Sequence, residues 1–323
     1  LSKSGKYSVI VLTRDSSGSR AKDLALLPGV SLAEGSYQNE TTLRQIFRGA
    51  YGAFVNTDGF AIGEQAEVFW GIRIFEIAVE SGLKHYIWGA LDYSLKIGEY
   101  DPAFRCGHYD GKGRVTEWLL AQTNVPIATS VLTTGPYIEM LQGGLFVPST
   151  RDDGKTLVFR YPLGEHGTVP MVHLEDIGFY AHWLFDSPSR AKNLDLKVAV
   201  AQIRFEEIVK EFNNRTTFHG RTAVYEPAPS FSAWTNTLPV PRDAPVTSIF
   251  YKDSKYTEAP TAAGLTYYEN FAGFTHLWQS NRVQRDYALL DEIHPDRIKS
   301  VGEWMDKVKY DGTQKSVLKD ISG

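Results

Sequence analysis

One lysine stands where a glycine-bracketed polar loop turns into an amphipathic helix. In the run Gly107-His108-Tyr109-Asp110-Gly111-Lys112-Gly113-Arg114-Val115-Thr116-Glu117-Trp118-Leu119, the apolar residues Val115, Trp118 and Leu119 recur at helical spacing. This segment therefore lies on a core, and the turn before it stays free to meet a ligand. Helix starts bind anions because their first amides lack internal partners. A lysine there neutralises a phosphate, holds a ribose hydroxyl, or lowers the pKa of a neighbouring proton donor; the alternative is a solvated lysine between two flexible glycines. Glu139 is the carboxylate of most interest. In a partly desolvated cleft its pKa rises and it serves as general acid or base; otherwise it caps the start of the next helix. His108 beside Lys112 would shuttle protons near neutral pH, or be solvated like His166. His173, His182 and His219 read as structural, and no His/Cys/Asp cluster has metal-ligand spacing, so no metal is expected.

The elements around these residues alternate. A β-rich run, Tyr7 to Leu12, ends in Thr13-Arg14-Asp15-Ser16, and a second short strand is expected at Val30 to Ala33. Thr42 to Phe47 is helical by spacing, and Tyr51 to Asp58 is a strand with a polar exit. Glu64 to Ser81 is the clearest helix: Val68, Ile72, Phe75 and Val79 form one stripe, Glu67, Glu76 and Glu80 lie off it, and Gly82 caps its end. His85 to Trp88 predicts a strand ending at Gly89, and Pro126 to Leu132 another. Strands alternating with helices predict an α/β fold with a doubly wound parallel sheet, whose ligands sit beyond the carboxyl ends of the strands. After Pro148 the rhythm loosens. Leu157 to Tyr161 reads as a short strand, Asp176 starts a helix that returns to the sheet, and Phe205 to Phe212 and Val301 to Val308 read as helices. The stretch from Tyr225 to Tyr251, dense in Pro and aromatics, belongs to a smaller α+β lobe. The expected division is 1–147 for the sheet domain, with 171–200 returning to it, and 148–170 plus 201–323 for a substrate lobe.

Composition narrows the function. The chain has 323 residues, 34 Lys and Arg against 38 Asp and Glu, and a formal charge of -4. With no long basic run, binding of nucleic acid by backbone neutralisation is not expected. Cys106 is the single cysteine, which excludes an intrachain disulfide and fits a reducing compartment. No apolar run approaches the roughly 20 residues that span a bilayer. The expectation is a cytoplasmic protein with no membrane partner.

Several segments together resemble the NmrA-like family of atypical short-chain dehydrogenases/reductases. They are Val11-Leu12-Thr13-Arg14, His108-Tyr109-Asp110-Gly111-Lys112-Gly113-Arg114-Val115, Gly135-Pro136-Tyr137-Ile138-Glu139, Val169-Pro170-Met171 leading to Glu175-Asp176-Ile177-Gly178, and His294-Pro295 ahead of Glu303-Trp304. The resemblance implies a Rossmann-like sheet and an NADP(H) site. It places Thr13 and Arg14 at the cofactor, Arg14 fitting a 2′-phosphate where an NAD enzyme often carries an acid. It lines the ribose and nicotinamide with Thr57, Asp58, Gly59 and Phe60, or leaves these as a polar turn closing a strand. It runs Pro136, Tyr137 and Ile138 along the nicotinamide, puts Gly89 beside the reacting centre, and makes Lys112 a cofactor contact. The chain departs from the family in three places. The family opens with a strand and a GxxGxxG turn, whereas this sequence begins at Leu1-Ser2-Lys3-Ser4-Gly5. Either an N-terminal piece of roughly 25 residues, one strand, turn and helix, is lacking, or the phosphate cradle has been lost. The first is the expectation, since removing a central parallel strand leaves its neighbours as open edges. Where such reductases usually carry a serine, this chain has Trp88-Gly89-Ala90. Tyr109 precedes Lys112 by three residues, one short of YxxxK.

The function expected is an NADP(H)-dependent oxidoreductase of the fungal secondary-metabolism type. Its substrate is a bulky apolar small molecule, a carbonyl or an alkaloid-like imine or iminium, with cyclisation coupled to the redox step as a variant of the same reading. Lys112, with Tyr109 or Glu139 as proton donor, carries the chemistry. Aromatic residues of the second lobe (Phe231, Trp234, Phe250, Tyr251, Tyr267, Tyr268, Phe271, Phe274) line the pocket or fill the core. The alternative is a non-catalytic regulator that senses NADP(H) and passes the signal to a protein partner.

Overall fold

Strands and helices alternate through the first part of the chain in the computed structural model, which describes residues 1–247 and 264–315. The order is β1 (Val9–Thr13), α1 (Ser19–Ala25), β2 (Val30–Glu34), α2 (Glu40–Phe47), β3 (Gly52–Val55), α3 (Gly59–Glu80), β4 (His85–Leu91), α4 (Ser94–Ile97), α5 (Gly107–Leu120) and β5 (Ala128–Thr134). There follow β6 (Ser149–Thr150), β7 (Thr156–Phe159), β8 (Val169–Met171), α6 (Leu174–Asp186), α7 (Pro188–Ala191), β9 (Asp195–Lys197), β10 (Ala201–Ile203), α8 (Phe205–Asn213) and β11 (Thr222–Tyr225). Later helices include Tyr267–Gln279, Tyr287–Ile293 and Val301–Val308.

The main sheet has the order β3-β4-β5-β9, all parallel, and β1 pairs in parallel with β2 as a separate two-stranded sheet. Among the described residues β1 and β3 each end a sheet, and Ile10 and Phe54 on them remain 55% and 40% exposed. β4 is buried on both faces, as a central parallel strand must be. Tyr86, Trp88 and Ala90 meet the helices α3 and α5, while Ile87 meets α6 and α7 on the other face. Burial of one such side chain contributes about 1.5–3 kcal/mol.

The long helix starts at Glu64 as expected, but a short helical turn from Gly59 precedes it, and Gly63, whose φ of 75° and ψ of 165° break the helical run, joins the two within α3. Asp58 caps this start by accepting the Ala61 N–H. At the other end Gly82, at φ 78°, turns the chain out, as its position after the last helical residues requires. Between α3 and α5 the packing is close, since a Cβ on Gly71 would meet Val115 at 2.7 Å.

The second lobe joins β8 to β10 antiparallel and lays β7 between β11 and β6. The largest apolar cluster lies here, including Phe146, Phe159, Tyr161, Phe205, Phe212, Trp278 and Trp304. Much of the aromatic density is thus core: Trp234, Tyr267, Phe271 and Phe274 are buried, and Phe231 packs against them. Phe250 and Tyr251 lie outside the described residues.

Candidate functional site

α5 starts at Gly107, so Lys112 stands in the second helical turn instead of at the loop-to-helix join, and Tyr109 is helical too. The helix lies against β4, and Trp88 ties the two: its Nε1 donates to the Lys112 carbonyl (3.4 Å), and its ring lies 5.0 Å from the Lys112 Nζ. Lys112 is only 6% exposed. Its ammonium has oxygens on several sides: Asn56 Oδ1 and the Thr57 carbonyl at 2.9 Å, the Gly89 carbonyl and Glu67 Oε1 at 3.2 Å, and Thr57 Oγ1 at 3.4 Å. β3 stops at Val55 opposite Trp88, whereas β4 and β5 continue in register to Leu91 and Thr134. Asn56 and Thr57 therefore lie where β4 overruns its neighbour, and Gly89 is inside β4 and not at its end.

Glu67, which lies off the apolar stripe of α3, is fully buried. Thr57 Oγ1 donates to its Oε1 (2.8 Å); Oε2 is buried with no partner among the described residues. Burial raises its carboxyl pKa, opposed by the Lys112 charge and the Thr57 hydrogen bond. Gly111 makes the room, since a Cβ there would lie 2.9 Å from Oε2. The sequence signal was faint: small residues recurring on α3 and α5, which mark two helices in close contact.

Beyond β4, Asp92 and Arg285 form a second buried pair, with both carboxylate oxygens bound (3.0 and 2.7 Å). Arg285 also donates to the carbonyls of Val198 (3.3 Å) and Thr134 (3.4 Å), which fastens the later chain to the ends of β5 and β9. Nothing in the local sequence marks either residue.

Beside Lys112 the surface is aromatic. Phe60 lies 4.4 Å from the His108 ring, and Phe271 and Phe274 stand near the same ring. His108 is bonded through Nδ1 to Asn270, and burial, with the Lys112 charge, pulls its pKa down to about 3. It is neutral near pH 7 and serves as a wall more than as a shuttle. Tyr109 is buried edge-on to Phe274 and Trp278, and burial pushes its hydroxyl pKa well up.

Thr13 spends its hydroxyl on the Asp15 carbonyl (3.0 Å). Arg14 follows it at the end of β1, close enough to Tyr37 for its charge to oppose the burial that pushes that hydroxyl up to about 12. Pro136, Tyr137 and Ile138 prolong β5 and bridge to Val172, with Ile138 N–H donating to the Val172 carbonyl (2.9 Å). Glu139 accepts the Leu174 N–H (3.2 Å) and so caps α6; the same Oε1 lies 2.5 Å from His173 Nδ1. His166 is solvent-exposed. Cavities of about 440 and 310 Å³ open in the second lobe, the latter walled by Phe146, Tyr161, Phe205, Trp234 and Leu238, and neither is lined by the strand-end residues. Among the described residues no three His, Cys, Asp or Glu side chains could hold a metal, and no helix is long and apolar enough to cross a membrane.

The sequence profile of the NmrA-like family matches residues 1–293. The chain belongs to the NmrA-like family. A curated relative is the NmrA-like family domain-containing oxidoreductase malD of Malbranchea aurantiaca, 25% identical over 222 residues. That match covers 64% of this chain and 64% of malD, less than two thirds of the relative's length. Solved NmrA-like folds superpose along nearly all of the chain. NmrA, a negative transcriptional regulator, reaches a TM-score of 0.68 at 17% identity, covering 92% of this chain and 86% of NmrA. The triphenylmethane reductase of Citrobacter sp., solved with NADP(H), reaches 0.65 at 15%, covering 95% and 93%. At such identities the likeness concerns the fold alone, the α/β architecture with its parallel sheet.

Proposed function

We propose that this NmrA-like protein is an NADP(H)-dependent oxidoreductase acting on a bulky, apolar small molecule. The observation that carries the reading is the Lys112 ammonium, held by side-chain and backbone oxygens over the carboxyl ends of β3 and β4 and bordered by Phe60, His108 and Phe271. Parallel sheets bind ligands at that end. The residues at the strand ends fit part of a dinucleotide: Arg14 follows β1, where a 2′-phosphate calls for a guanidinium, and Asn56 offers an amide beyond β3. When bound, the cofactor would supply hydride.

The chain's own residues do the rest. Lys112 keeps the ends of β3 and β4 in register and their dipoles oriented. The aromatic wall excludes water and accepts an apolar substrate. His108 is neutral and Tyr109 is held protonated by burial, so the site favours a substrate that needs little proton donation. An iminium, or an imine that enters protonated, alkaloid-like and open to cyclisation after reduction, meets that condition better than a ketone, because hydride addition then gives a neutral amine. Curated relatives named as fungal oxidoreductases support the class.

To test it, purified protein is incubated with NADPH and a panel of cyclic imines and ketones while absorbance is followed. Consumption of NADPH with imines ahead of ketones is expected. No consumption, together with clearly different affinities for NADPH and NADP+, would instead support a regulator that senses the cofactor for a protein partner. The absent serine at Gly89 and the likeness to a transcriptional regulator favour that second reading.

A further inference from the structure

Asn56 carries an amide whose orientation the structure dictates. The Lys112 ammonium, 2.9 Å away, only donates hydrogen bonds, so the carboxamide atom facing it is the oxygen. The planar amide then turns its Nδ2 to the opposite side. Asn56 is an exposed residue, and among the described residues its Nδ2 meets no acceptor. Its side chain also lies over Gly89: a Cβ built on that glycine would stand 3.0 Å from the Asn56 Cβ and 3.3 Å from its Cγ and Oδ1. The space that a side chain at position 89 would take, at the heart of the strand ends, is thus occupied by an anchored amide. Lys112 in turn is fixed from behind by Glu67 and Thr57.

We propose that Asn56 is a ligand-facing hydrogen-bond donor of this site, its Nδ2 binding a hydroxyl or carbonyl oxygen of a molecule lying over β3 and β4. The inference rests on the NADP(H) reading above and deepens it. Lys112 acts on the ligand through Asn56, because a cation on the amide oxygen fixes the plane of the amide and makes its N–H groups stronger donors. The oxygen belongs either to a ribose of the cofactor or to the carbonyl of a substrate, and the two sources are separable.

The test compares wild type with Asn56→Ala and Asn56→Asp, both of which remove the donor at an exposed position; thermal melting checks that they fold. NADPH affinity is read by fluorescence titration, and kcat/KM at saturating NADPH with a ketone that the wild type consumes. Loss of one hydrogen bond predicts a change of about tenfold. A cofactor source raises the NADPH Kd of both variants and leaves kcat/KM unchanged; a substrate source does the reverse. Where no substrate is consumed, the cofactor arm decides alone. Affinity and kcat/KM equal to wild type in both variants overturn the proposal, and a wild type that binds no NADPH overturns the cofactor reading and the proposal with it. A second construction checks the geometry: Asn56→Gly empties the space and Asn56→Gly/Gly89→Ser puts a hydroxyl into it. Recovery of the lost binding or turnover is expected in the double variant, and no recovery overturns the donor role.

Discussion

Asp92–Arg285 and Lys112–Glu67 are both buried near the strand ends, and they are built differently. Asp92 and Arg285 meet fork to fork, both carboxylate oxygens are bound, and the guanidinium's remaining donors reach backbone carbonyls. Lys112 and Glu67 share a single carboxylate oxygen, the other is left without a partner, and the ammonium leans on an exposed amide. A satisfied bidentate pair resists change and fastens one segment to another. A pair with a buried oxygen left unmet is the less satisfied of the two and the more open to change. The difference separates a satisfied latch from a looser pair, the one that borders the proposed site.

Breaking the latch should cost most. Arg285→Met strands the Asp92 carboxylate in the interior and is expected to destabilise the fold by about 3–5 kcal/mol in urea unfolding. A loss under 1 kcal/mol would mean that Asp92 finds water or another partner.

The Lys112–Glu67 pair should behave otherwise. Lys112→Met is expected to lose about 3 kcal/mol, less than the latch, because Glu67 can take up a proton in place of its counter-ion. Lys112→Met/Glu67→Leu should regain most of that stability and none of the NADPH affinity. If the double variant is no more stable than the single, the pair is not the source of the loss. The sign with pH follows from the raised carboxyl pKa of Glu67. The folded state holds that proton more tightly than the unfolded state, so this contribution is complete below the ordinary value of 4.5 and is lost as pH rises through the folded pKa. Wild type should therefore lose stability relative to Glu67→Gln between pH 4 and pH 7; a constant difference would refute the assignment.

Gly63 bends the chain between Asp58, which caps the first turn of α3, and Glu67, which meets Lys112. An alanine at its φ of 75° should cost about 1–3 kcal/mol, read from the melting curve. A neutral outcome would show that the kink relaxes.

The smallest effect expected is at His173. Burial lowers its pKa, but the Glu139 hydrogen bond and charge outweigh this and raise it above the ordinary 6.5. The stabilisation is present below pH 6.5 and lost as pH rises through the folded value. The advantage of wild type over His173→Phe should be about 1 kcal/mol at pH 6 and shrink by pH 8. An advantage that grows with pH would contradict the assignment.

Much of the fold was legible in the residues. Period-two and period-3.6 patterns mark β1 to β5 and the helices between them, because burial on two faces of a parallel sheet imposes those patterns on local sequence. The return of α6 to the sheet could be read from Asp176 onward. The strand ends of the main sheet follow from the same alternation, and so Lys112, Thr57 and Asp58 could be named as candidates without coordinates. Glu139 could be narrowed only to two roles, and the observed cap on α6 comes from a helix 35 residues later in the chain.

What the sequence alone determined, then, is the α/β class and the family, and it singled out the lysine on which the proposed site centres. Tertiary structure alone decided its partners. Glu67, Asn56, Asp92 and Arg285 are joined across separations of up to 193 residues, and a carboxylate that will be buried opposite a lysine looks, in sequence, like one that faces water. Burial and the direction of a planar amide are properties of packed neighbours, which no local period encodes.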